Sequence, residues 1–594
     1  MHWRITILSS KLSGLADLVI RLRHGDEAKA QTDSRAEIPR LIEQFSRLRT
    51  RQKTNGITNK VEERDTATKL TVLLTGPTGS LGAHVLAQLI KRPDVKKIYL
   101  LIRGATPEAA RERVFKALTS RSLSIPDNFD DRIVILQCKL SEPKLGLSDQ
   151  DYATLQHSID IVLHLAWSVN FLLSLGSFSP HFAGIQNLLD LCQSSQKAMP
   201  PKLVFCSSVA SVSALHSGDP SSHSSVPEAI ITDTAVSGPT GYALSKLTAE
   251  LVLARAATRN PLLQGRITII RVGQLSADTK RGAWNKSEAY PQILASAKYT
   301  EGVIPDLGDE ERLTWLPIDV AAEAFIEGSL EDETVMAHVP TEHVKHKMGR
   351  QANTKADITG ADSENHIEIN KAAVRVLHLV NPDVRLSFTN FVTRLQNLLF
   401  NKHGSSTNQT TTSSSTKTTA QQDRNITIVP ADQWLTKLEA LQSSTNSSDA
   451  QSLLRLLPFW KQAYANRQPS SSDKDAKSSL PDLTFDLHNS LISMPCLTHW
   501  LGKSTLEAAK QMPKKGKKQG SRSSLVTEGI HSTILNGEVR DPDIEVGGVD
   551  DGVGVDGAIT DAIEGDEDDD EHIAELLKKA YVLSVWEWVM ENVP

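Results

Sequence analysis

The chain has 594 residues, 39% hydrophobic and 23% charged, with a formal net charge of −6 at pH 7. That length exceeds one compact core, so a large catalytic unit of two lobes with poorly ordered additions is expected. The near-balanced charge gives no reason to expect nucleic acid, no apolar window reaches the length of a membrane span, and Cys138, Cys192, Cys206 and Cys496 form no CxxC pair. These cysteines read as reduced thiols, and a cytoplasmic protein with no membrane or nucleic-acid partner is the expectation.

In chain order, Leu12, Leu15, Leu18, Val19 and Leu22 recur at helical spacing ahead of Gly25, and a second helical stretch runs from Ile38 to Leu48. A polar linker, Thr50 to Thr68, follows. From 70 to about 275 strand and helix patterns alternate, as a doubly wound parallel sheet requires, so the fold class is α/β. Strands are expected over 70–74, 97–102, 132–138, 160–165, 202–206 and 266–271. Thr106 followed by Pro107 signals a helix start, and a helix at about 180–195 puts Phe182, Ile185, Leu188, Leu189 and Cys192 on one face.

Beyond 275 the pattern turns irregular, with Trp284, Trp315, Trp434, Trp460 and Trp500 among short helices. This suits a smaller mixed and helical substrate lobe, 276–512, closing over the C-terminal edge of a dinucleotide-binding domain at 67–275. The Ser/Thr-rich insert 403–424 and the segment 513–571, basic at Lys514, Lys515, Lys517 and Lys518 and acidic from Asp566 to Glu571, cannot bury a core and are expected to be disordered. Residues 572–594 form an amphipathic helix expected to return to the substrate lobe.

Thr75 to Gly82 reads TGPTGSLG between the apolar run Leu70–Leu74 and the helical pattern from Ala83 to Ile90. Strand, glycine turn and helix in that order make a dinucleotide phosphate cradle. Gly76 turns the chain off the strand, Gly79 lets backbone approach a pyrophosphate, and Gly82 lets the helix pack close. The phosphates then meet a helix N-terminus, where free N–H groups and the macrodipole favour negative charge. Arg103 ends the second strand twenty-one residues after Gly82, where an arginine favours the 2′-phosphate of NADP over the ribose hydroxyl of NAD.

Tyr242 and Lys246, in GYALSK, stand four residues apart and project from one side of a helix. A lysine ammonium beside the phenol is expected to lower the tyrosine pKa and make it a proton donor. The fifth strand ends in Cys206, Ser207, Ser208; Ser208 is expected to hydrogen-bond the substrate oxygen, with Ser207 as the alternative.

Glycine cradle, strand-end serine and YxxxK in that order resemble the extended short-chain dehydrogenase/reductase family. More narrowly, TGPTGSLGAHVLAQL (75–89), HLAWSVNF (164–171), GYALSKLTAE (241–250), RVGQLSADTKRGAWN (271–285) and WLPIDVAAE (315–323) resemble the thioester reductase domain of fungal adenylate-forming, nonribosomal-peptide-synthetase-like reductases of secondary metabolism. This resemblance, and not spacing, implies a thioester substrate. Carried over residue by residue, it implies catalytic roles for Ser208, Tyr242 and Lys246. It implies NADPH contacts at Thr75, Gly76, Thr78, Gly79, Ser80, Leu81, Gly82, Arg103, Ala166, Tyr242 and Lys246, and no metal. Two positions depart from the pattern: Lys139 stands where the family usually has an Asp that meets the adenine, and Leu165 where it has an Asn near the cofactor. Asp319 matches a family motif, yet its expected role is to cap the helix 320–330.

Ser10 to Leu22 resembles the last helix of a phosphopantetheine carrier domain, so 1–66 reads as that helix and its linker. The resemblance therefore implies NADPH-dependent release of a carrier-bound acyl thioester as aldehyde, with an acyl-phosphopantetheinyl carrier as partner, in trans or in a longer gene product. The alternatives are another extended-family oxidoreductase or epimerase on a free or CoA-linked substrate, and a non-catalytic NADP-binding protein.

Overall fold

The computed structural model describes residues 34–49, 69–104, 106–170, 173–215, 225–308, 311–331, 368–383, 386–404, 426–444, 448–454, 456–464, 484–502 and 575–593. The expected helix at 10–24, nearly all of the 403–424 insert and the whole of 513–571 lie outside them.

Among the described residues, seven parallel strands form one sheet: β1 (Leu70–Thr75), β2 (Val95–Ile102), β3 (Ile133–Gln137), β4 (Ile161–His164), β5 (Lys202–Ser208), β6 (Ile267–Val272) and β7 (Arg375–Leu379). Their order is β7-β6-β5-β4-β1-β2-β3, which reverses between β1 and β4. Successive strand residues face opposite sides, so Val72 and Leu74 enter one core and Leu73 the other. Both faces are therefore apolar and each needs a layer of helices, which is why the strands read as nearly continuous Val, Ile and Leu. The helices Ser179–Gln193 and Gly241–Arg259 cover one face, and Ser80–Leu89, Pro107–Thr119 and Ile318–Leu330 the other.

Six strands fall where the sequence placed them. The seventh corrects the expected boundary at 275, because β7 pairs along β6 from Arg375↔Thr268 to Leu379↔Val272. The Ile318–Leu330 helix and Met494, Leu497 and Leu501 also join the core on that side. An uncovered sheet face would be unfavourable, and the chain returns to the sheet to cover it.

A third core is aromatic. Trp284, Trp315, Trp434 and Trp460 are buried with Phe388 and Phe391, and Trp315 lies 4.9 Å from Trp284 and 4.8 Å from Tyr290 between ring centroids. The C-terminal helix Lys579–Asn592 packs here through Val582, Val585 and Val589, and the Tyr581 hydroxyl donates to Ser276 Oγ at 2.9 Å.

At the other end, the helix Ile38–Phe45 straps the helices Ser179–Gln193 and Gly241–Arg259. Ile38, Leu41, Ile42 and Phe45 are buried, Phe45 lies 5.8 Å from Phe182 between centroids, and Arg259 grips Glu43 at 2.7 and 2.9 Å.

Candidate active site

The cradle forms as the residue types dictate. Gly76 has φ +73°, and a Cβ there would stand 2.7 Å from the Ala166 backbone nitrogen. A Cβ on Gly82 would stand 2.1 Å from the Gly76 carbonyl oxygen. Both positions thus require glycine, one for turn and approach and one for helix packing. Gly79 is exposed and caps the Ser80–Leu89 helix with no side-chain acceptor, leaving its first N–H groups directed out of the turn with Thr78, Ser80 and Leu81 around them. An uncapped helix start over a glycine turn at a sheet switch point fits a dinucleotide pyrophosphate.

Ala166 enters the same floor. Its N–H donates to Thr75 Oγ1 at 3.2 Å, and Thr75 Oγ1 meets His164 Nδ1 at 2.8 Å. Thr75 Oγ1 thus links the Ala166 backbone to the His164 ring. Burial, and then the Lys246 charge, push that imidazole down to about 3, so it is neutral.

Arg103 is exposed at the end of β2, and the Arg113 guanidinium donates to its carbonyl. Two cations therefore share this rim. The sequence reading passed over Arg113; its signal was an arginine two turns into the helix that begins at Pro107. Lys139 is also exposed and pairs with Glu142 at 3.1 Å.

At the opposite end, Thr240 caps the catalytic-candidate helix by accepting from Ala243 N at 3.2 Å, which fixes Tyr242 in the first turn with Lys246 one turn on. The Tyr242 phenol shares a hydrogen bond with Ser208, whose Oγ also accepts from Ala210 N at 3.2 Å. Ser207 bonds further along the same helix. Its hydroxyl donates to Glu250 Oε1 at 2.5 Å, within a buried ion pair in which Arg271 Nη2 meets Glu250 Oε2 at 2.8 Å. Of the two strand-end serines, Ser207 is committed to Glu250, and Ser208 is the one bonded to Tyr242.

Lys246 is buried and donates to the Cys206 carbonyl at 2.6 Å. The expected lowering of the Tyr242 pKa by this ammonium is not what the structure gives. Nζ lies 5.8 Å from the Tyr242 ring centroid, and burial pushes the phenol up to about 12, opposed by its bond to Ser208. Tyr242 is thus a fully protonated phenol at neutral pH. Asp319 likewise departs from expectation. Instead of capping its own helix, it accepts from Thr279 N at 3.0 Å and Thr279 Oγ1 at 2.6 Å, because its helix already begins at Ile318 and the loop N–H faces it.

The sheet order, the glycine turn at the switch point and the helix carrying Tyr242 and Lys246 beside β5 define a doubly wound, Rossmann-type α/β fold. Residues 74–325 match the family model described as male sterility protein. The chain is 36% identical over 271 residues to the adenylate-forming reductase Nps10 of Heterobasidion annosum, covering 45% of this chain and 24% of that protein. It is 31% identical over 319 residues to a carboxylic acid reductase of Neurospora crassa, covering 53% of this chain and 28% of that one. The chain thus spans about a quarter of the length of these curated relatives. In fold, it superposes on the terminal R domain from the myxalamid PKS-NRPS biosynthetic pathway with a TM-score of 0.51 at 21% identity, covering 85% of this chain and all of that one.

Proposed function

We propose that this chain is an NADPH-dependent reductase that releases a carrier-bound acyl thioester as an aldehyde. The observation that carries the reading is the convergence of Ser208 and Tyr242 on one hydrogen bond beside buried Lys246, across the crevice from the glycine cradle. The relatives' names, adenylate-forming reductase and carboxylic acid reductase, support the same reaction class.

Thr75, Gly76, Thr78, Gly79, Ser80, Leu81, Gly82 and Ala166 would hold the dinucleotide by backbone and hydroxyl contacts, with Arg103 and Arg113 on the 2′-phosphate. NADPH, when bound, supplies the hydride that reduces the carbonyl carbon. Tyr242 and Ser208 both donate to the thioester oxygen, stabilising the charge that develops there. Tyr242 gives its proton to that oxygen, yielding a hemithioacetal, and Lys246 would hold the ribose of the bound dinucleotide beside it. As the C–S bond breaks, the hydroxyl returns its proton to Tyr242, the aldehyde leaves, and the departing thiolate takes a proton from water.

The test supplies one acyl group three ways. Loaded on a separate carrier protein it should drive NADPH oxidation with one aldehyde formed per NADPH; on bare pantetheine the rate should be lower, because carrier binding no longer positions the thioester. The free acid with ATP should give none. ATP-dependent reduction of free acid, or no oxidation across a panel of aryl and aliphatic carrier thioesters, overturns the reading.

A further inference from the structure

Trp167, just past β4, is half-buried and sits in the segment HLAWSVNF, yet none of the steps above uses it. Its indole N–H donates to Ser245 Oγ at 3.1 Å, and the Ser245 hydroxyl donates to the Tyr242 carbonyl at 2.7 Å. The ring is thereby tied to the first turns of the helix that carries Tyr242 and Lys246. Its plane is fixed by Phe178 and His181, at centroid distances of 6.1 and 4.7 Å, and by Phe205 edge-on at 5.4 Å.

Against this plane lies the ammonium. Lys246 Nζ is 4.6 Å from the Trp167 ring centroid and 4.7 Å from that of Phe205. A cation over an indole face is attracted by the ring quadrupole, most strongly where water is excluded. Five titratable groups surround it: Tyr242 and Glu250 on its own helix, Cys206 on β5, His164 on β4, and His181 on the Ser179–Gln193 helix. Tyr242 is protonated, and burial holds His164 at about 3 and His181 at about 4, so these three carry no charge at neutral pH. Glu250 is committed to Arg271. The aromatic faces and the Cys206 carbonyl are therefore the nearest stabilisers of the charge.

We propose that Trp167 is a positioning residue for Lys246: its indole face holds the ammonium at the Cys206 carbonyl and leaves the remaining N–H groups to a hydroxylated ligand beside Tyr242. The proposal rests on the reading of this crevice as a dinucleotide-dependent reductase site. Burial lowers the Lys246 pKa to about 8 against the opposing charges of Cys206 and Glu250, and loss of the ring face should lower it further.

The experiment is an NMR titration of the full chain labelled with ε-¹³C lysine, with the Lys246 resonance assigned by its loss in Lys246→Arg. Trp167→Leu should lower the Lys246 pKa by about 0.5 to 1.5 units and weaken NADP⁺ binding by about 2- to 30-fold. Trp167→Phe, which keeps a ring face, should restore at least half of the pKa change. If Trp167→Leu does not fold, Ser245→Ala carries the test, since it frees the indole without emptying the corner and should shift the pKa the same way. An unchanged or raised Lys246 pKa in these variants overturns the proposal. Failure of the wild type to reduce any thioester would instead sink the proposed reaction, and the titration would still decide the clamp.

Discussion

The two ends of the crevice are built on opposite principles. At the glycine end the groups that face a ligand are backbone N–H groups and an exposed arginine, and what fixes them is the steric need for no side chain at Gly76 and Gly82. At the other end Tyr242 is 8% exposed and Lys246 3%, and burial displaces the pKa of both from ordinary values. Binding surfaces made of backbone cost little, because those groups are free at a helix start in any case. Reactive groups have to be desolvated, which is unfavourable and needs support from the structure beneath. Here that support is the Glu250–Arg271 pair, with Ser207, Ser211 and His378 bonded to it, joining the Tyr242 helix to β5, β6 and β7.

If the buried end does the chemistry, its removal should act on turnover and not on binding. Tyr242→Phe fits the same buried space without a hydroxyl, so kcat should fall by about 10² to 10⁴ while NADPH affinity, read by fluorescence titration, stays within about twofold. Near wild-type turnover would move the proton donor elsewhere. Beneath it, Glu250→Gln leaves the Arg271 guanidinium buried without its counter-charge, and urea unfolding should show a loss of about 3 to 5 kcal/mol. A loss under 1 kcal/mol would mean that the seam does not support this corner.

The same division explains what the sequence disclosed. The cradle was legible because glycine spacing between a strand and a helix is itself the steric requirement, and six strands were legible because burial on both faces leaves continuous apolar runs. The edge strand β7 was not. Its segment Arg375-Val376-Leu377-His378-Leu379 contains a histidine that reads as solvent-facing, yet His378 is buried, because Arg271 Nη1, the Asp486 carbonyl and the Ser490 hydroxyl meet it there. Those partners lie 107 to 112 positions away along the chain, and no local pattern announces them. The direction of the Tyr242 shift was missed for a similar reason. Spacing shows that Lys246 shares its helix side, while the dominance of burial depends on β4, β5 and the Trp167 loop meeting over it.

The exposed end should fail differently. Charge-assisted hydrogen bonds from a guanidinium to phosphate contribute about 1.5 to 3 kcal/mol, so Arg103→Ala should weaken NADPH by about tenfold or more, with NADH nearly unchanged and kcat at saturation retained. Equal losses for the two cofactors would remove the 2′-phosphate from this rim. Arg113→Ala should give a loss of the same sign and smaller size, because this guanidinium also holds the Arg103 carbonyl.

The smallest effect belongs to the strap, where the charges are neither buried nor near the crevice. Glu43 bonds Arg47 at 2.8 Å and Arg259 at 2.7 Å, and its side chain is 35% exposed. The adjoining guanidinium of Arg47, more than that of Arg259, holds its carboxyl below the usual value of 4.5. Half-exposed pairs of this kind contribute about 0.2 to 1 kcal/mol, so Glu43→Ala should cost no more than about 1 kcal/mol in urea unfolding at pH 7 and leave kcat unchanged. The sign with pH follows from the lowered pKa: the contribution is present above pH 4.5 and is lost as pH falls through the folded-state value, so the gap between variant and wild type should narrow by pH 4. High salt should narrow it as well, since exposed charges are screened. A gap that widens in acid, or a kcat that falls with the pair, would mean that the strap reaches the catalytic corner through the Gly241–Arg259 helix, and the division between a costly chemical end and an inexpensive periphery would not hold.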